Sequence, residues 1–155
     1  MSSYETLVLR HDWDQATEAD WAKVLASLPL FEGFSKRRLR KLARQAHFAD
    51  YTRGDEVVST GSPGDAFYVI LSGTAKARGK PAARTLVAGD YFGEISLLDG
   101  GPRSATVVAT SELQVMRVPR QAFLELAEDE PALTASMLAQ LGARVRELEG
   151  QAARR

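Results

Sequence analysis

The chain has 155 residues, 45% of them apolar, enough for one domain with its own core. Twenty basic residues cancel twenty acidic ones, so the global field draws in neither nucleic acid nor an anionic membrane, and the absence of cysteine removes disulfides and thiolate metal sites. No run reaches the roughly eighteen apolar residues of a membrane span, and the opening MSSYETLVLRHDWD lacks the basic-then-apolar order of a secretion signal, so a soluble, cytoplasmic protein is expected.

Residues 1–16 read as a tail in which Leu7, Val8 and Leu9 fit an added strand, a docking segment or a disordered stretch. Thr17-Glu18-Ala19-Asp20 then has the spacing of a capping box. Trp21, Val24, Leu25 and Leu28 recur at helical spacing until Pro29, which predicts a helix over 18–27. Ser35 caps a second predicted helix running to Ala46, with Leu39, Leu42, Ala43 and Ala46 on one face. Lys36, Arg37, Arg40, Lys41 and Arg44 cover the other, either as a solvated face or as a contact for an anionic partner.

From Phe48 to Val118 the texture changes to short β-prone runs punctuated by glycine: EVVS, FYVILSG, TAKA, TLVA, YF, ATVVA and ELQVMRV. Strands so short and regularly spaced predict an antiparallel sandwich or barrel. RGKPAAR, at 78–84, reads as an exposed hairpin tip and Arg53-Gly54-Asp55 as a turn. Residues Glu94 to Leu98 fit a single helical turn better than a strand. After Pro119, Phe123, Leu124 and Ala127 mark a helix, and Asp129-Glu130-Pro131 breaks it before the last one. That last helix carries Leu138, Leu141, Val145 and Leu148 at 3-4-3 spacing, a seam too short for a coiled coil. Packing on its own barrel, a homodimer contact and a lid over a pocket all account for it.

Catalytic constellations are lacking. His11 and His47 are isolated, with no HxH or HExxH spacing, and no GxSxG elbow exists, so no metal and no catalytic residue is expected. The run from Gly73 to Lys80 superficially resembles a nucleoside-triphosphate loop, but its glycines are one residue too far apart and Pro81 stands where a hydroxyl should hold magnesium.

One stretch, FGEISLLDGGPRSATVVA at 92–109, has the makings of a binding site. Gly93 before a helical turn lets free backbone amides approach an anion, and Arg103 supplies a planar guanidinium that grips two oxygens of one phosphate. Glu94 repels a phosphate but, as an acceptor, suits a neighbouring hydroxyl such as a ribose 2′-OH. Ser104 adds a hydroxyl and Ala105 keeps the wall thin. The alternative is that Glu94 and Arg103 merely pair across the Gly100-Gly101-Pro102 turn.

The stretch resembles the phosphate-binding cassette of cyclic-nucleotide-binding domains. The likeness covers about residues 28–150, through LPLFEGFS, RGDEVVSTGSPGDAFYVILSG, LVAGDYFGE and the closing helices. It implies an α+β fold: an antiparallel, jelly-roll-like β-roll with a short phosphate-binding helix, flanked by N-terminal helices and two C-terminal helices. The domain is then expected over 17–150, with a tail at 151–155. The resemblance further implies that Gly93 and the amides of Ile95 and Ser96 approach the phosphate, Glu94 takes the ribose hydroxyl, and Arg103 pairs with the exocyclic oxygens. Ala105 would offer its amide, and Ser104 would bear on cyclic AMP (cAMP) against cyclic GMP (cGMP). Leu86 and Phe92 fall where the barrel wall meets the base, and Arg144 and Leu148 at the lid. The implied ligand is cAMP or cGMP, with no cofactor, and the implied output is an unidentified effector protein. Too few residues follow Leu148 for a DNA-reading helix-turn-helix, so no DNA-binding domain is expected. A degenerate domain used as an interaction module and a cyclic dinucleotide binder are the rival readings.

Overall fold

Helix α1 (Glu18–Ala26) starts at its capping box: the Thr17 amide donates to Asp20 Oδ2 at 2.9 Å and the Asp20 amide to Thr17 Oγ1 at 3.3 Å. In this computed structural model the described residues are 17–28, 31–79, 83–93, 103, 105–131, 135 and 139. Helix α2 (Lys36–Arg44) is capped by Ser35, whose Oγ accepts from the Arg38 amide at 3.3 Å. It ends two residues before Ala46, because Ala46 leads directly into a strand.

That strand, β1 (His47–Tyr51), is absent from the β-prone runs read in the sequence. HFADY mixes two apolar, one small and two polar residues, and only pairing makes it a strand: it lies along the edge of a sheet, matched from His47↔Arg117 to Tyr51↔Leu113. The remaining strands fall within or beside the predicted runs: β2 (Glu56–Val58), β3 (Ala66–Ser72), β4 (Thr74–Gly79), β5 (Arg84–Val87), β6 (Tyr91–Phe92), β7 (Ala105–Ala109) and β8 (Leu113–Pro119). They form two four-stranded antiparallel sheets, β1-β8-β3-β6 and β2-β7-β4-β5, an open β-roll in keeping with the predicted class. Arg78 and Arg84 flank the β4–β5 hairpin on exposed positions, as the reading of its tip required.

Helix α3 (Arg120–Glu128) follows β8 and ends at Asp129; Pro131, Ala135 and Ala139 are helical beyond it. The predicted turn at 94–98 and the seam of Leu138, Leu141, Val145 and Leu148 lie outside the described residues.

β3 divides the core in two. On one side Phe67, Val69 and Leu71 pack with Met116, Val118 and the helical residues Val24, Leu25, Leu39, Leu42, Phe123 and Leu126. On the other, Ala66, Tyr68 and Ile70 face Leu86, Val107, Ala109, Leu113 and Val115 in the space between the sheets. The period of two in β3 thus serves two buried faces, so FYVIL reads as a continuous apolar run. At the β3–β4 turn Gly73 has φ +90°, and a Cβ there would overlap the Glu112 carbonyl oxygen.

Candidate functional site: a buried arginine beside a glycine

Arg103 is the buried charged residue among those described, 5% exposed, and its main chain is fixed at both polar groups. Its amide donates to the Ser62 carbonyl at 2.8 Å, and its carbonyl accepts from the Gly61 amide at 2.9 Å. The adjoining Thr60 is tied to β7, its amide donating to Thr106 Oγ1 at 2.9 Å. The turn over 59–62 therefore aims the Arg103 side chain inward, toward the start of β3.

There Nη2 donates to the Ala66 carbonyl oxygen at 2.7 Å and lies 3.5 Å from Asp65 Oδ1. The guanidinium carbon stands 5.6 Å from the centre of the Tyr68 ring, within cation–π range. Among the described residues, Nε and Nη1 have no partner at all. Burial lowers the Arg103 pKa from its ordinary value, while Tyr68 and Asp65 act in the opposite direction. An arginine remains a cation throughout, so the two open donors represent a desolvated positive charge aimed into the protein with half its fork unused.

Gly93 closes the other side. Its φ is +86°, a region that disfavours side chains, and a Cβ built there would overlap Arg103 Nη1 and come within 2.9 Å of the Ala66 oxygen. The missing side chain is thus required by the guanidinium, not only by the turn. Next to it, Phe92 stacks on Tyr68 with ring centroids 4.9 Å apart and planes 4° from parallel. The two are cross-strand partners on the inner face of the first sheet, and Arg117 is the partner of Tyr68 on the other side. Asp65 joins the arginines, as Arg117 Nη2 lies 3.1 Å from its Oδ2. Two guanidiniums against one carboxylate leave this corner one positive charge in excess among the described residues. Burial also pushes the Tyr51 hydroxyl pKa up, with Tyr68 adding to the effect.

Of the residues singled out in the sequence, Gly93 and Arg103 meet directly. Leu86 and Phe92, 1% and 5% exposed, are both packed between the sheets, and Ala105 opens β7 opposite Gly79. Glu94, Ile95, Ser96, Ser104, Arg144 and Leu148 lie outside the described residues. Sequence reasoning did not single out Asp65, Tyr68 or Arg117. Arg117 had a readable signal, since it occupies the same face of β8 as Leu113 and Val115, where a charge needs a reason.

Within this β-roll, a desolvated arginine with two open donors beside a glycine corner has the chemistry to take a compact anion. Residues 48–130 match the family model of the cyclic nucleotide-binding domain, and the chain belongs to that family. It is 35% identical over 116 residues to a cAMP-dependent protein kinase regulatory subunit of Mycosarcoma maydis, covering 68% of this chain and 22% of that protein. It is 32% identical over 130 residues to a CRP-like cAMP-activated global transcriptional regulator of Mycobacterium tuberculosis, covering 80% of this chain and 58% of the relative. In structure it resembles the regulatory domain of Toxoplasma gondii PKA crystallised with cAMP, with a TM-score of 0.70 at 27% identity, over 84% of this chain and 50% of that one. The chain therefore spans only part of the length of these relatives. Among the described residues no helix is long and apolar enough to cross a membrane.

Proposed function

We propose that the protein is a cyclic nucleotide sensor whose phosphate site is the Gly93–Arg103 corner. The observation that carries this reading is the pair of nitrogens, Nε and Nη1, without a partner among the described residues on Arg103, which is 5% exposed. An uncompensated buried charge is costly, and two phosphate oxygens on those nitrogens would compensate it. Glu94 accepts from the ribose 2′-hydroxyl, the amides of Ile95, Ser96 and Ala105 approach the phosphate, and Ser104 sits beside the purine. Leu86 and Phe92 border the base, and Arg144 and Leu148 close over it from the last helix.

The likeness to a cAMP-dependent kinase regulatory subunit, a cAMP-activated regulator and a kinase regulatory domain crystallised with cAMP supports cAMP as the ligand before cGMP or a cyclic dinucleotide. These relatives are regulatory proteins, which supports a binding module that performs no catalysis and signals to a partner chain. Closure of the last helix acts as a switch only if the nucleotide binds the closed state more tightly than the open one.

Calorimetric titration with cAMP, cGMP and a cyclic dinucleotide, on the wild type and on Arg103→Ala, tests the reading. Binding of a cyclic mononucleotide that collapses in the variant supports it. A wild type that binds none of them, with an unshifted melting temperature in their presence, identifies a fold that has lost its ligand.

A further inference from the structure

We propose that the groove between α2 and the end of α3 is a docking site for an acidic segment of a partner protein. Helix α2, KRRLRKLAR, holds six cations and no acid in nine residues, within a chain whose net charge is zero. Arg44 pairs with Glu18 at 2.9 Å, and Arg38 Nε with Glu130 Oε1 at 2.5 Å. Lys36, Arg37, Arg40 and Lys41 are exposed and carry no side-chain partner among the described residues. A merely solvated face needs no concavity, yet Arg37, Arg38, Lys41 and Arg44 line one of about 710 Å³, with Asp129 and Glu130 on its far wall.

The chemistry of the occupant follows from what the groove already holds. Arg38 takes the Glu130 carboxylate and lies 3.9 Å from that of Asp129, so the walls accommodate carboxylates. The same two acids oppose any anion, but a flexible acidic segment can set its few carboxylates on the free cations away from them, whereas a nucleic acid brings a continuous row of phosphates, and a neutral chain supplies no long-range field to offset that repulsion. A bilayer surface would require an apolar flank beside the charges. Here Leu39, Leu42 and Ala43 are buried in the core, and the exposed large apolar residues among those described, Phe48 and Val87, lie outside the groove. An entering carboxylate would compete for Arg38 with Asp129 and Glu130, the residues at the elbow before Pro131. Docking and the elbow thus share one guanidinium.

Fluorescence anisotropy of the full chain with a labelled peptide of glutamate and aspartate, a labelled single-stranded oligonucleotide, and phosphatidylserine vesicles provides the test. The peptide is expected to bind, more weakly as salt rises. The double reversal Arg37→Glu with Lys41→Glu should weaken it by at least about tenfold. Both side chains are exposed, so the fold is expected to persist, and an unchanged circular dichroism melt verifies it. Lys76→Glu with Arg78→Glu, on the exposed positions of β4, changes net charge equally and should leave peptide binding as it was. The proposal is overturned if the α2 reversal leaves peptide affinity unchanged, if the β4 reversal weakens it as much, or if the oligonucleotide or the vesicles bind and the peptide does not.

Discussion

Arg103 and the cations of α2 place the same chemical group in opposite surroundings. Arg103 is 5% exposed and lacks partners on two nitrogens among the described residues, whereas α2 spreads six cations over nine residues, most of them exposed. By count the helix is the more basic region. By energetics the single residue matters more, because Coulomb attraction to a ligand oxygen scales inversely with the dielectric around it. A cation in water gives up hydration to bind, while Arg103 gave up its hydration on folding. On the proposed reading the buried arginine should bind its ligand selectively and strongly, and the helix face should bind broadly, weakly and with sensitivity to salt.

The sharpest attempt to break that contrast is Arg103→Ala. It should cost about 3–5 kcal/mol of nucleotide binding, the penalty typical of stripping the partner from a buried charge. Calorimetry reads this as a loss of roughly a hundred- to several-thousand-fold in affinity. The reversal of Arg37 and Lys41 should leave nucleotide affinity untouched, and a comparable loss there would erase the distinction.

Next in size is a pair of glycine substitutions. Gly54 and Gly93 both have positive φ, +95° and +86°, but a Cβ at Gly54 meets nothing within 4 Å, while one at Gly93 overlaps Arg103 Nη1. Gly54→Ala should cost about 1–2 kcal/mol of stability from the backbone alone. Gly93→Ala should cost more in urea denaturation and should also weaken nucleotide binding, since it displaces the guanidinium. Equal costs at the two positions would mean that the Gly93 corner is not tight.

Ser35→Ala removes the cap of α2 and should lower stability by about 1 kcal/mol with no change in nucleotide affinity. Arg44→Ala has the smallest expected effect. Its hydrogen bond to Glu18 raises its pKa, yet the pair is open to water, so neither the melting midpoint nor nucleotide affinity should move measurably.

Much of this organisation was legible along the chain wherever a residue's role is local. Thr17 and Ser35 cap their helices, and Gly54 turns its loop, because each acts on backbone groups only a few positions away. The runs FYVILSG and ELQVMRV became strands because their apolar β-branched residues have no other economical burial. The pairing of Gly93 with Arg103 was suggested by spacing and by family resemblance, and β1 was missed because HFADY has no periodicity that separates an edge strand from a loop.

The sequence by itself determined the helix starts, the strand-rich centre, the neutral charge balance and the family. Only the tertiary structure decided that Arg103 is desolvated, that Ala66, Asp65 and Tyr68 surround it, and that a side chain at Gly93 would collide with it. The contacts of Arg103 with Asp65, Ala66 and Tyr68 join residues 35 or more positions apart, and burial is a property of what such distant segments exclude together. No window of sequence carries that information, because the dielectric around a charge is set by neighbours in space.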